Sequence, residues 1–80
     1  METTPALTDL ELAVLEFERA RWKYSGAKDA AILSMFGWSP TRYYQFLNRL
    51  IDRPEALVAD PQLVNRLQRL RDVRRRARAS

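Results

Sequence analysis

Residues 30–51, Ala30-Ala-Ile-Leu-Ser-Met-Phe-Gly-Trp-Ser-Pro-Thr-Arg-Tyr-Tyr-Gln-Phe-Leu-Asn-Arg-Leu-Ile51, read as two helices joined by a tight turn. Ala30 to Phe36 is a helix-compatible apolar run. Gly37 can take the left-handed conformation that ends such a helix, and Trp38 can plug the corner between the pair. Ser39 and Pro40 then start the next helix. A serine N-cap accepts from the free amides of the first turn, and proline at the first helical position forfeits no intrahelical hydrogen bond. From there Tyr43, Phe46, Leu47, Leu50 and Ile51 recur at a period near 3.6 and predict a buried stripe. The opposite arc holds Thr41, Arg42, Gln45, Asn48 and Arg49.

An ordinary solvated helix face favours Glu and Lys, whereas this arc favours Gln, Asn, Thr and Arg. Gln and Asn bond adenine edges bidentately and Arg the guanine edge, so the arc suits a helix laid in a DNA major groove. The competing reading is an αα-corner of the kind found in many small helical bundles. Tyr43 sits at the centre of the apolar stripe and is expected in the core. Tyr44 sits at the stripe's edge, where its hydroxyl could reach a phosphate. Trp22 and Trp38 are expected to be core anchors.

Upstream, Thr8 followed three residues later by Glu11 predicts a capping box, with Leu7 stapled onto Leu12. The first helix is then expected from about Asp9 to about Tyr24, burying Leu10, Val14, Phe17 and Tyr24, with Leu15 and Trp22 slightly off that stripe. Ser25-Gly26 is expected to end it, and Lys28-Asp29 to lead into the second helix. Residues 1–6 read as a loose arm. Downstream, Arg53 precedes Pro54 and is steered away from α geometry, so the third helix should stop there and a short fourth turn follow. Asp60-Pro61 repeats the cap-plus-proline start, and Leu63, Val64, Leu67, Leu70 and Val73 continue at helical spacing. Beyond Val73 only Ala77 and Ala79 interrupt arginines until Ser80, and a segment with no apolar face is expected to fray. No alternating run or Asn-Gly turn signals a strand.

Charge is distributed unevenly. Residues 1–60 hold seven Lys/Arg against nine Asp/Glu, whereas residues 61–80 hold seven arginines against Asp72 alone. Arginine forks onto phosphate oxygens, and counterions released from nucleic acid supply most sequence-independent affinity, so this end suits a polyanion better than it suits mere solubility. The 80 residues contain neither Cys nor His. That removes a disulfide framework, the usual zinc ligands and the usual general base. Glu16, Glu18, Asp29, Asp52, Glu55 and Asp60 fall at no spacing suggesting a metal site or an acid/base pair. Asp29, Asp52 and Asp60 read as helix caps, and Glu16 and Glu18 as solvated residues pairing weakly with Arg19 and Arg21. An enzyme is not expected, nor a cofactor, a membrane span or a secretory leader.

Phe36-Gly37-Trp38-Ser39-Pro40-Thr41-Arg42 resembles the turn and second helix of bacterial helix-turn-helix regulators, in which a Gly-hydrophobic-Ser-Pro turn is frequent. Leu33 departs from that pattern, because the position four before the turn glycine usually holds a small residue where the helices touch. A longer string resembles a family of short uncharacterised actinobacterial proteins. It comprises Phe17-Glu18, Trp22-Lys23-Tyr24, Arg42-Tyr43-Tyr44-Gln45, Leu47-Asn48, Asp52-Arg53-Pro54-Glu55-Ala56-Leu57 and Asp60-Pro61. This second resemblance covers most of the chain and implies no particular activity.

The expectation is therefore an all-α domain of four to five helices over residues 1–73, with a helix-turn-helix at its centre and a basic C-terminal helix or tail over 74–80. Its expected function is double-stranded DNA binding by a small cytoplasmic regulator or nucleoid-associated protein. Thr41, Arg42, Tyr44, Gln45, Asn48 and Arg49 would face the major groove, and Arg74, Arg75, Arg76 and Arg78 the phosphates. So small a module would act as a homodimer or in association with RNA polymerase. The alternative is a protein-interaction module for the transcription machinery, using Leu15, Trp22 and the apolar side of the last helix.

Overall fold

The computed structural model describes residues 6–20 and 22–79 and is all-α, with five helices. They are α1 (Asp9–Arg19), α2 (Ser25–Phe36), α3 (Pro40–Ile51), α4 (Pro54–Ala59) and α5 (Pro61–Ala79). The arm at residues 1–5, the pairing expected of Arg21, and Ser80 lie outside the described residues.

Local chemistry sets most boundaries where the residues predict them. Thr8 and Glu11 exchange hydrogen bonds in a capping box, Thr8 N–H to Glu11 Oε1 at 2.8 Å and Glu11 N–H to Thr8 Oγ1 at 3.1 Å. Gly37 ends α2 in the left-handed region at φ 70°, its N–H donating to the Leu33 carbonyl at 2.9 Å. Ser39 caps α3 through Arg42 N–H at 3.2 Å, with Pro40 at the first position. Arg53 is extended before Pro54, and Asp60 Oδ1 accepts from Leu63 N–H at 3.2 Å to start α5.

The first helix is shorter than its apolar pattern suggests. It stops at Arg19 rather than near Tyr24, because the Trp22 side chain folds back and its Nε1–H donates to the Phe17 carbonyl at 3.0 Å. That bond gives the Phe17 carbonyl a second donor beside Ala20 N–H at 3.3 Å and sets the indole ring 4.9 Å from the Phe17 ring. Ser25 and Gly26 therefore open α2 instead of closing α1, and Asp29 lies inside α2 rather than at its cap. The buried face of α1 is also rotated. It is formed by Val14, Leu15, Phe17 and Glu18, whereas Leu10 and Tyr24 are exposed. Leu15, only 1 % exposed, is thus core and unavailable as a contact surface. Leu33, 63 % exposed, does not separate α2 from α3; Ile32 and Phe36 face the core in its place.

The core joins all five helices through Val14, Leu15, Ile32, Tyr43, Leu47, Leu50, Ile51, Ala56, Leu63 and Val64. Tyr43 is its aromatic hub, with ring centroids 5.6 Å from Phe17, 5.7 Å from Phe36, 6.5 Å from Trp38 and 5.2 Å from Tyr44. Trp38 stacks on Phe36 at 5.4 Å and reaches Phe46 at 5.1 Å, filling the α2–α3 corner. Glu18 is buried rather than solvated, since its carboxylate accepts from the Tyr43 hydroxyl at 2.5 Å and from Lys28 Nζ at 3.0 to 3.1 Å. Burial and then the adjacent Glu18 charge push the Tyr43 phenol well above its ordinary value. α5 runs unbroken across residue 73 to Ala79 and carries the C-terminal arginines in helical conformation.

Candidate nucleic-acid interface

Two hydrogen bonds set how α5 lies on α3. Gln68 Nε2 donates to the Ile51 carbonyl at 2.7 Å, and one turn on Arg71 NH1 donates to the Asn48 carbonyl at 3.4 Å. As α5 advances, its partners on α3 recede, so the helices run antiparallel. Arg71 is anchored further by Asp52 Oδ1 at 2.9 Å. This register carries the remaining arginines of α5 toward the N-terminus of α3.

The result is a cleft of about 510 Å³ between the helices. The α3 wall is Pro40, Thr41, Tyr44, Gln45 and Asn48; the α5 wall is Arg71, Arg74, Arg75 and Arg78. Of the residues expected at the site, Thr41, Tyr44, Gln45, Asn48, Arg74, Arg75 and Arg78 thus meet in one place. Tyr44 is half-buried, its ring edge-on to Tyr43 and covered by Lys28 Nζ at 5.0 Å. Arg42 and Arg49 are exposed on the outer side of α3, and Arg42 lies over the Trp38 ring at 5.4 Å. Arg76 does not line the cleft, because helical spacing turns it to the other side of α5.

Arg71 is the residue that sequence reasoning missed. Residues 71, 74, 75 and 78 follow the i, i+3, i+4, i+7 spacing of one helical face, a signal hidden only by reading the segment beyond Val73 as a frayed tail. Arg71 is consumed by Asp52 and the Asn48 carbonyl, with Asp72 at 3.5 Å. Arg74, Arg75 and Arg78 form no ion pair among the described residues. The cleft therefore has an amide- and hydroxyl-bearing wall facing one on which three of the four guanidinium groups have no ion pair among the described residues. That combination attracts phosphate and offers hydrogen bonds to polar edges beside it. Among the described residues no group of acidic side chains could hold a metal ion, and no helix is long and apolar enough to cross a membrane.

The fold defines a small all-α domain with a cationic cleft between its third and fifth helices. The chain belongs to the family described as "Protein of unknown function (DUF3263)", whose model matches residues 6–79 and so spans both walls of the cleft. No curated protein and no solved structure matches the chain.

Proposed function

We propose that this chain binds double-stranded DNA as a small transcriptional regulator or nucleoid-associated protein. In this reading α2, the Gly37–Ser39 turn and α3 act as a helix-turn-helix. The outer and cleft-facing polar residues of α3 enter the major groove, and the arginines of α5 take the flanking phosphates. One observation carries the reading: Thr41, Gln45 and Asn48 of α3 and the unpaired Arg74, Arg75 and Arg78 of α5 line the same cleft. Phosphate contacts fix register while base-edge contacts specify sequence, and the two walls supply one kind of group each. Nothing in the constellation supports catalysis, and the proposal is for a binding protein without a cofactor.

Gln45 and Asn48 separate base readout from simple charge attraction. Gln45→Ala and Asn48→Ala each should leave the fold intact, since Gln45 is exposed and the Arg71 bond goes to the Asn48 backbone. If α3 reads bases, each variant lowers discrimination between a selected site and random duplex by about 1 to 3 kcal/mol in a competition titration. Equal losses on both duplexes would confine α3 to phosphate contact. No loss on either would remove α3 from the interface.

A further inference from the structure

The outer half of α5 carries an apolar strip that none of the described chain covers. Leu67 is buried, but Leu70 and Val73, three and six residues on, are 46 % and 54 % exposed. Trp22, expected as a core anchor but 37 % exposed, stands beside Leu70. Trp22, Leu67 and Leu70 form the apolar lining of a concave cleft of about 230 Å³, and Lys28, Arg66 and Arg74 supply its cations. The acid in that lining, Glu18, is already engaged by Tyr43 and Lys28, and Arg66 is held by the Glu18 backbone carbonyl at 3.3 Å. Arg74 has no ion pair among the described residues, so the rim is cationic. Helical spacing extends that rim along the strip, with Arg69 and Arg76 on one side of Leu70 and Val73 and Arg74 on the other.

An apolar row between two cationic edges is the complement of a helix with an apolar stripe between acidic edges. A second copy of this chain does not meet that requirement, because pairing two such strips sets arginine edges against each other. A bilayer surface suits a broad amphipathic face, whereas this strip is narrow and ends in a cleft sized for one side chain. We propose that the outer half of α5 docks an acidic amphipathic helix of another protein. One large apolar side chain of that helix would enter the Trp22–Leu67–Leu70 cleft, and its carboxylates would meet Arg66, Arg69 and Arg74. This surface adjoins the α3–α5 cleft and shares Arg74 with it, but Trp22, Leu70 and Val73 do not line that cleft.

The test uses the full isotope-labelled chain and a synthetic helical peptide of about 15 residues with Leu at i, i+3, i+4 and i+7, one central Phe, Glu only at the positions flanking that stripe, and Ala and Gln elsewhere. A second peptide carries Lys at every Glu position. Saturable shifts of the Trp22 indole N–H and of the Leu70 and Val73 amides are expected with the acidic peptide only. Leu70→Glu should weaken that binding at least about tenfold, a loss of about 1.4 kcal/mol. Val73→Glu, at the more exposed position, should do the same with an unchanged melting temperature, which covers the case in which Leu70→Glu unfolds. No shift at about 1 mM acidic peptide overturns the proposal, as do equal responses to both peptides or shifts confined to Gln45, Asn48, Arg75 and Arg78. Vesicles of phosphatidylserine that perturb the strip while the peptide does not would also overturn it. Loss of DNA binding in any of these preparations has no bearing on the outcome, because the readout residues lie outside the DNA cleft.

Discussion

Gly37 and Glu18 bear on stability by different routes, one through the backbone and the other through a buried charge. At Gly37 a Cβ would meet no atom within 4 Å, so a substitution there tests conformation without crowding. With φ at 70°, Gly37→Val should cost about 1 kcal/mol or more, a fall of about 4 to 8 °C in melting temperature for a domain of this size. Unchanged melting would place the turn elsewhere. Glu18 holds Tyr43 of α3 and Lys28 of α2 to α1 from inside the core. Glu18→Ala leaves a buried hydroxyl and a nearly buried ammonium without their acceptor, so a loss of about 3 to 5 kcal/mol is expected in chemical denaturation. Replacing the three together, Glu18→Leu with Lys28→Met and Tyr43→Phe, should recover most of that loss. A Glu18→Ala variant as stable as the parent would show that the cluster contributes nothing to folding.

At the scale of helices, acidic side chains tie elements together at their ends. The Thr8 backbone N–H, aided by the Arg53 guanidinium, holds the Glu11 carboxyl below its ordinary value of 4.5. The Arg19 side chain, aided by Leu63 N–H, likewise holds Asp60 below 3.8. Because both folded-state values are depressed, their contribution is fully present above the ordinary values and is lost as pH falls through the depressed ones. Melting temperature should therefore hold between pH 7 and about pH 5 and fall steadily below about pH 4. A melting temperature that rises on acidification in that window would contradict the linkage. These elements also mark what was legible in the sequence. The starts of α1, α3 and α5 were, because Thr8, Ser39 and Asp60 act on amides within three residues. The end of α1 was not, because it depends on Trp22 turning back onto Phe17, and neither was the buried role of Glu18, whose partner Tyr43 is 25 residues away. Local chemistry writes the caps; tertiary packing decides which carboxylate is inside.

For the whole molecule, the asymmetric charge becomes an asymmetric surface. Acidic groups of the N-terminal sixty residues are largely spent on internal partners, Glu11 on Arg53, Glu18 on Lys28, Asp60 on Arg19 and Asp52 on Arg71. Most of the arginines without an ion pair among the described residues lie on α5, which is about 28 Å long at 1.5 Å per residue. Seven of the ten candidate site residues were brought together by the fold, and their convergence was hidden in the sequence because the arginine segment lacks the apolar stripe by which helices are usually recognised. What docks that segment is Gln68 and Arg71 hydrogen-bonding to backbone carbonyls of α3, which periodicity does not report. The proposed role of Arg74, Arg75 and Arg78 is to face phosphates across the α3–α5 cleft. Its most direct test is the affinity for random duplex DNA as a function of salt, for the parent chain and for the combined variant Arg74→Gln, Arg75→Gln, Arg78→Gln. Weaker binding is expected of the variant, with a slope of log affinity against log salt flatter by about 2.7, about 0.9 for each lost phosphate contact. A parent chain that does not bind duplex DNA at low salt, or a variant that binds with the parent's slope, would contradict it.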